Sequence, residues 1–148
     1  MTEILDYLKV LVASGGSDLH MKAGGPAYVR VDGDLTPLTK LEPLSSKDTE
    51  RFALEMMDER STRQFVETSE ADFAYSVPGM GRFRTNVFRQ RGSVGLVLRL
   101  VTDGGAKFED LGMPAAVRKL AEEPRGLVLI TGPTGSGKTT TCAAMLGH

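Results

Sequence analysis

The sequence predicts an α+β domain over residues 1–101, followed by the opening of a second, α/β unit. Three observations carry this. Residues 1–101 read as a helix, a hairpin, two helices and an antiparallel meander, a set that can close on one core. Residues 102–111, with Gly104-Gly105, read as a linker. Residues 112–148 then run helix, short apolar strand, glycine-rich loop and helix.

Each element has its own signal. Ile4, Leu5, Leu8, Leu11 and Val12 recur at three- and four-residue spacing, which predicts a helix over Thr2 to Ser14, capped by Thr2 and stopped by Gly15-Gly16. From Leu19 the period shifts toward two: Tyr28, Arg30 and Asp32 alternate with Val29 and Val31, and Asp32-Gly33 offers hairpin chemistry before Leu35. A second helix starts at Ser45 or Ser46 and gathers Phe52, Ala53, Met56 and Met57 on one face. Ser61 is the expected cap of a shorter helix through Phe65 and Val66. Ala71, Phe73, Tyr75 and Val77 alternate, Pro78-Gly79-Met80-Gly81 turns the chain, and Phe83, Thr85 and Val87 alternate again. After Gly92-Ser93, the run Val94 to Val101 is apolar enough for a central strand. Beyond the linker, Pro114 suits the first position of a helix through Glu123, and Pro124 ends it. Leu127 to Thr131 reads as a strand, and Thr139 to Leu146 has helix composition.

Composition narrows the class without defining a function. Hydrophobic residues make up 41% and charged residues 25% of the 148, with a formal net charge of −1. That balance gives no bulk attraction to nucleic acid or an anionic membrane. The apolar runs are too short to span a bilayer, and no signal peptide is recognised. A single cysteine, Cys142, cannot form an internal disulfide, and on a sheet-facing helix it is expected to be a small core residue. No metal site is expected from two histidines and that cysteine.

The stretch with chemistry in it is Gly132-Pro133-Thr134-Gly135-Ser136-Gly137-Lys138-Thr139. Glycines at this spacing let successive backbone N–H groups converge on a phosphate, and the helix that follows points its positive end at the same anion. Lys138 would bridge the β- and γ-phosphates of ATP, and the Thr139 hydroxyl would ligate Mg²⁺. Thr140 extends the polar start of the helix and joins the candidate contacts. Because the pattern follows an apolar strand and opens a helix, it has the context a P-loop requires. Phosphoryl transfer also needs an acidic residue on a neighbouring strand and a group that orients the attacking water. Glu122 and Glu123 lie before the loop and read as solvated charges, so the nucleotide domain is expected to be unfinished at His148.

Ser17-Asp18-Leu19-His20, Arg30-Val31-Asp32-Gly33-Asp34-Leu35, the run Gly81 to Gln90, Leu111-Gly112-Met113-Pro114 and Gly126 to Thr131 with the P-loop together resemble the PilT-like pilus retraction ATPases of the type II/IV secretion superfamily. The resemblance covers essentially the whole chain. It implies a PAS-like N-terminal domain over residues 1–101 and the truncated start of a RecA-like ATPase domain over 112–148. It further implies a homo-hexameric ring in the cytoplasm, at the inner face of the cytoplasmic membrane. Such a ring binds ATP and Mg²⁺ and powers pilus retraction and twitching motility. The implied partner is the pilus inner-membrane platform protein, with membrane association only through partners and no nucleic acid. The chain begins directly at the PAS-like part, which favours the retraction branch. A sister PilU-like role, a secretion or pilus-extension ATPase, and a non-catalytic PAS-like assembly module stay open. Walker B, the acidic box and the histidine box are expected beyond His148, so the fragment alone is not expected to hydrolyse ATP.

Arg82, Arg84, Arg89, Arg91 and Arg99 fall on two adjacent predicted strands. Period-two geometry puts Arg82, Arg84 and Asn86 on one face and Phe83, Thr85 and Val87 on the other. Arg99 interrupts an apolar run and therefore calls for a partner or an anion. The resemblance implies that Arg84 and Arg99 reach toward the nucleotide phosphates as arginine fingers, with Arg82 and Arg91 weaker candidates. His20 lies in a matching stretch but reads by itself as structural.

Overall fold

Alternation of apolar and polar residues builds a sheet with two unlike faces. The structure, a computed structural model, describes residues 3–101, 108–133 and 135–147. It divides into two compact units, Met1–Val101 and Thr102–His148. The expected linker falls partly on residues 102–107, outside the described residues.

The first unit runs α1 (Ile4–Ala13), β1 (Asp18–Lys22), β2 (Tyr28–Val31), β3 (Asp34–Pro37), α2 (Ser46–Met56), α3 (Glu59–Thr68), β4 (Glu70–Val77), β5 (Gly81–Gln90) and β6 (Ser93–Val101). The six strands form one sheet in the order β3-β2-β1-β6-β5-β4, with every neighbouring pair antiparallel. β6 pairs with both β1 and β5, as its apolar sequence requires of a central strand. The β2–β3 hairpin turns at Asp32 and Gly33, both at positive φ (49° and 94°), the geometry that matches the twist of flanking strands.

One sheet face is packed. Leu19, Met21, Phe83, Val87, Leu96 and Leu98 are buried there against Ile4, Tyr7, Leu8 and Leu11 of α1, Phe52 and Met56 of α2 and Phe65 of α3. Tyr7 and Phe52 meet edge to face at 5.8 Å, at the junction of two helices that are far apart in sequence. Each such side chain contributes about 1.5–3 kcal/mol by leaving water. By strand alternation, Asp18, His20, Arg84, Asn86, Val97 and Arg99 share the opposite face.

Several local expectations need correction. Glu3, not Thr2, occupies the N-cap of α1, in a reciprocal capping box with Asp6. α3 begins at Glu59, two residues before Ser61, with Asp58 as its N-cap: the Asp58 carboxylate accepts from the Ser61 N–H at 2.8 Å, so Ser61 is a buried first-turn residue. Val66 is 77% exposed and lies off the apolar face.

The second unit contains α4 (Ala115–Ala121) and α5 (Lys138–Leu146). Pro114 stands at the N-cap of α4, which ends at Ala121 rather than Glu123. The segment 127–131 is not a strand. A strand exists through its ladder, and among the described residues of this unit no other strand pairs with it; Leu127 and Leu129 are exposed. Cys142 is exposed, and Ala144 is the buried residue of α5, so the cysteine is not a core residue here. His148 and the Thr134 of the loop lie outside the described residues.

Candidate functional site

Two groups of residues carry chemistry, one in each unit. In the second unit the glycine-rich loop runs directly into α5. Gly137 is the N-cap at φ 86°, a left-handed conformation that costs a side-chain-bearing residue strain, and Lys138 is the first helical residue. Gly132 stands at φ 153°, which side-chain-bearing residues rarely adopt, and a Cβ there would stand 2.7 Å from the Ser136 hydroxyl, which would have to turn away. The Ser136 N–H donates to the Pro133 carbonyl at 3.3 Å, and the Lys138 ammonium donates to the same oxygen at 2.6 Å. The first helical backbone bond runs from the Thr141 N–H to the Gly137 carbonyl at 2.8 Å. No described side chain caps the helix, so its first-turn N–H groups face outward without a side-chain acceptor, beside exposed Thr139 and Thr140. Such an end, with an ammonium on the same loop, can receive the oxygens of a phosphate. Pro133 and Gly135 complete the described part of the loop.

In the first unit, register brings charge together on the face opposite the core. Arg30, Asp18, Arg99 and Arg84 stand in one cross-strand row over β2, β1, β6 and β5. The Asp18 carboxylate is buried; its Oδ1 accepts from Arg99 Nε at 2.7 Å, and Oδ2 accepts from the Ser17 hydroxyl at 2.7 Å and faces Arg30 Nε at 3.5 Å. Arg99 thus has the partner its position calls for, yet its side chain is 66% exposed. Arg84 approaches Asp72 Oδ1 at 3.8 Å, an exposed pair of little energetic weight. A groove of about 370 Å³ opens between Asp18, Arg84, Asn86, Arg99, Asp72 and Glu70.

The other arginines are not part of this row. Arg89 lies over the Phe65 ring, 5.3 Å from its centre, and stands 3.8 Å from Glu50, so it belongs to the helical side. Arg91 occupies a turn at φ 51°, and Arg82 lies one strand step beyond Arg84. Sequence reasoning missed Asp18 and Ser17 as the partners of this site. Asp18 and Arg99 are 81 residues apart, and only the β1–β6 register joins them.

Burial pushes the Asp18 carboxyl upward, but the Ser17 hydroxyl and the Arg99 guanidinium outweigh it and hold it below its ordinary value of 3.8. Burial, then the charge of Arg30, lowers His20 below 6.5, and its Nε2 is buried without a hydrogen-bond partner. Both signs agree. A depressed folded value means the unfolded chain takes the proton first, so stability is fully present above the unfolded value and is lost as pH falls through the folded one. The melting temperature should decline in a first step below pH 6.5 and a second below 3.8. His20→Phe should remove the first step and leave the second; a melting profile from pH 8 to 3 that keeps both in the variant would refute the assignment.

A glycine-rich loop of this pattern, entering the start of a helix, is the mark of the P-loop class. The chain belongs to the type II/IV secretion system protein family, whose family model matches residues 4–148. It is 42% identical to the type IV pilus retractation ATPase PilT of Pseudomonas aeruginosa over 99% of this chain and 42% of that protein. It is 44% identical to the type IV pilus ATPase PilU of the same organism over 99% of this chain and 38% of PilU. Among solved structures it matches the pilus retraction motor PilT with bound ADP at a TM-score of 0.92 and 41% identity, over 99% of this chain and 43% of that one. The ATPase DotB of Legionella pneumophila, at 24% identity and a TM-score of 0.72, shares the fold. The chain therefore spans about two fifths of the length of the PilT it resembles. It is a PilT-like member of its family.

Proposed function

We propose that this chain is the nucleotide-binding portion of a hexameric motor ATPase that powers type IV pilus retraction and twitching motility. The observation that carries this reading is the uncapped N-terminus of α5 behind Gly132–Lys138, in a chain 42% identical to PilT over nearly its whole length. PilT is described with bound ADP. Here Gly132, Pro133, Thr134, Gly135, Ser136, Gly137, Lys138, Thr139 and Thr140 would hold the phosphates of ATP, and the Thr139 hydroxyl would ligate Mg²⁺. Magnesium neutralises charge on the β- and γ-phosphates when bound. Arg84 and Arg99 act on the γ-phosphate of a bound nucleotide, so that positive charge stands where negative charge builds in the transition state.

In this reading residues 1–101 are PAS-like, 102–111 link, and 112–148 open a RecA-like domain. The ring works in the cytoplasm, at the inner face of the cytoplasmic membrane, against the pilus platform protein. The 44% identity to PilU supports a second reading, a sister pilus ATPase with the same chemistry and a different contribution to movement.

Phosphate release tests the proposal. The 148 residues alone should show none above background, because phosphoryl transfer needs a magnesium-holding carboxylate and a water-orienting group as well as a P-loop. The same residues continued by the sequence that follows the loop in the full-length protein should hydrolyse ATP. Turnover by the short form, or an inert long form, would contradict the assignment.

A further inference from the structure

Among the described residues, Asp18 is the one buried residue that carries a charge. A buried carboxylate is costly unless it is paired and hydrogen-bonded, and Asp18 is both. Its two oxygens have separate tasks. Oδ2 is held by the Ser17 hydroxyl and stands near Arg30, which donates to the Gly33 carbonyl at 2.6 Å. Oδ1 takes Arg99 through Nε.

An arginine can meet a carboxylate with two parallel N–H groups, which uses up one edge of its fork. Arg99 uses Nε toward Asp18, and its terminal amino groups lie on a side chain that is 66% exposed at the rim of the Arg84 groove. The charges favour a further anion. Two guanidinium groups share one carboxylate, which leaves the Arg30–Asp18–Arg99 cluster with one net positive charge. The anchor is also rigid, since β1 is held on both sides by β2 and β6.

We propose that Asp18 is the positioning residue for Arg99: it clamps the Nε edge of the guanidinium and leaves the terminal amino groups free to take two oxygens of a phosphate. Ser17 is the second part of the clamp, fixing the carboxylate rotamer from its far oxygen. The proposal rests on the reading that Arg99 acts on bound ATP. It adds that Arg99 reaches the phosphate only when Asp18 holds its other edge, because a loose guanidinium loses the orientation that makes it effective.

The experiment uses the full-length hydrolysing protein and a set of variants read for kcat, KM for ATP and melting temperature. Asp18→Asn keeps the shape and removes the charge; its kcat should fall about tenfold or more with KM changed less than about threefold. Ser17→Ala keeps both charges and should lower kcat about two- to threefold, which covers the case of an Asp18 variant that folds poorly. The deciding comparison is the double variant. In an Arg99→Ala background Asp18→Asn should cost no further kcat, since a residue that acts through another is silent once that other is gone. A full additional loss in that background, or an unchanged kcat in both Asp18→Asn and Ser17→Ala, would overturn the positioning role while leaving Arg99 its own. An unchanged kcat in Arg99→Ala itself would remove the arginine reading and this proposal with it.

Discussion

Replacing Lys138 with alanine in the full-length protein should lower ATP turnover by about a thousandfold or more. Lys138 opens α5 immediately after the Gly137 cap, so an ammonium stands on the same loop as the uncapped helix start. In the structure that ammonium rests on the Pro133 carbonyl at 2.6 Å. A phosphate offers it a full negative charge in place of a carbonyl dipole, and charge-assisted bonds are about twice as strong as neutral ones. The loop supplies dipoles fixed in place, but only the lysine contributes a mobile unit charge to the bridging oxygens. The fold should be indifferent to the change: the bond to Pro133 is exposed, and exposed substitutions stay within about 0.5 kcal/mol. Phosphate release together with a melting curve checks both halves. Retained turnover would contradict the role, and a collapsed melting curve would mean that the loss came from the fold.

Arg99→Ala should lower kcat by about a hundredfold or more while nucleotide affinity changes only a few-fold; Arg84→Ala should act in the same direction. The split follows from when the charge is needed. The P-loop meets the phosphates in the ground state, whereas an arginine finger counts most as charge builds during transfer. Arg84 and Arg99 are direct cross-strand neighbours, so two guanidinium groups stand side by side on adjacent strands. Like charges so placed repel unless carboxylates or an anion hold them; here Asp18 holds Arg99, and Asp72 stands 3.8 Å from Arg84. An arriving phosphate adds a further anion beside them while Asp18 keeps the Nε edge of Arg99. Steady-state kinetics of the two variants decides the matter, and unchanged hydrolysis in both would remove the assignment.

Much of the first unit was legible because its signals are local. Ala71 to Val77 and Phe83 to Val87 alternate at the period of a strand, and Asp32-Gly33 carries its turn type in two residues. The faces of β5 follow from the same alternation: Phe83, Thr85 and Val87 are buried, Arg84 is exposed and Asn86 is half-buried. Long-range pairing was not legible. That β1 lies against β6, and therefore that Asp18 meets Arg99, depends on a register set by the whole core. Caps were misplaced for a smaller reason. Thr2, Glu3, Asp58 and Ser61 can all accept from a helix start, and composition does not say which one the chain will use. The segment 127–131 has the residue types of a strand, but types do not make a ladder. On the candidate site, the glycine-rich loop was readable as an eight-residue pattern, while the anchor of Arg99 could be seen only once the sheet was assembled.

If Gly132 to Thr139 hold the phosphates of a nucleotide, a titration of these 148 residues with ADP in the presence of Mg²⁺ will show it. Binding should be weak and saturable, and it should be lost in Lys138→Ala without a change in melting temperature. No saturable binding, or binding that Lys138→Ala leaves intact, would contradict that role of the loop.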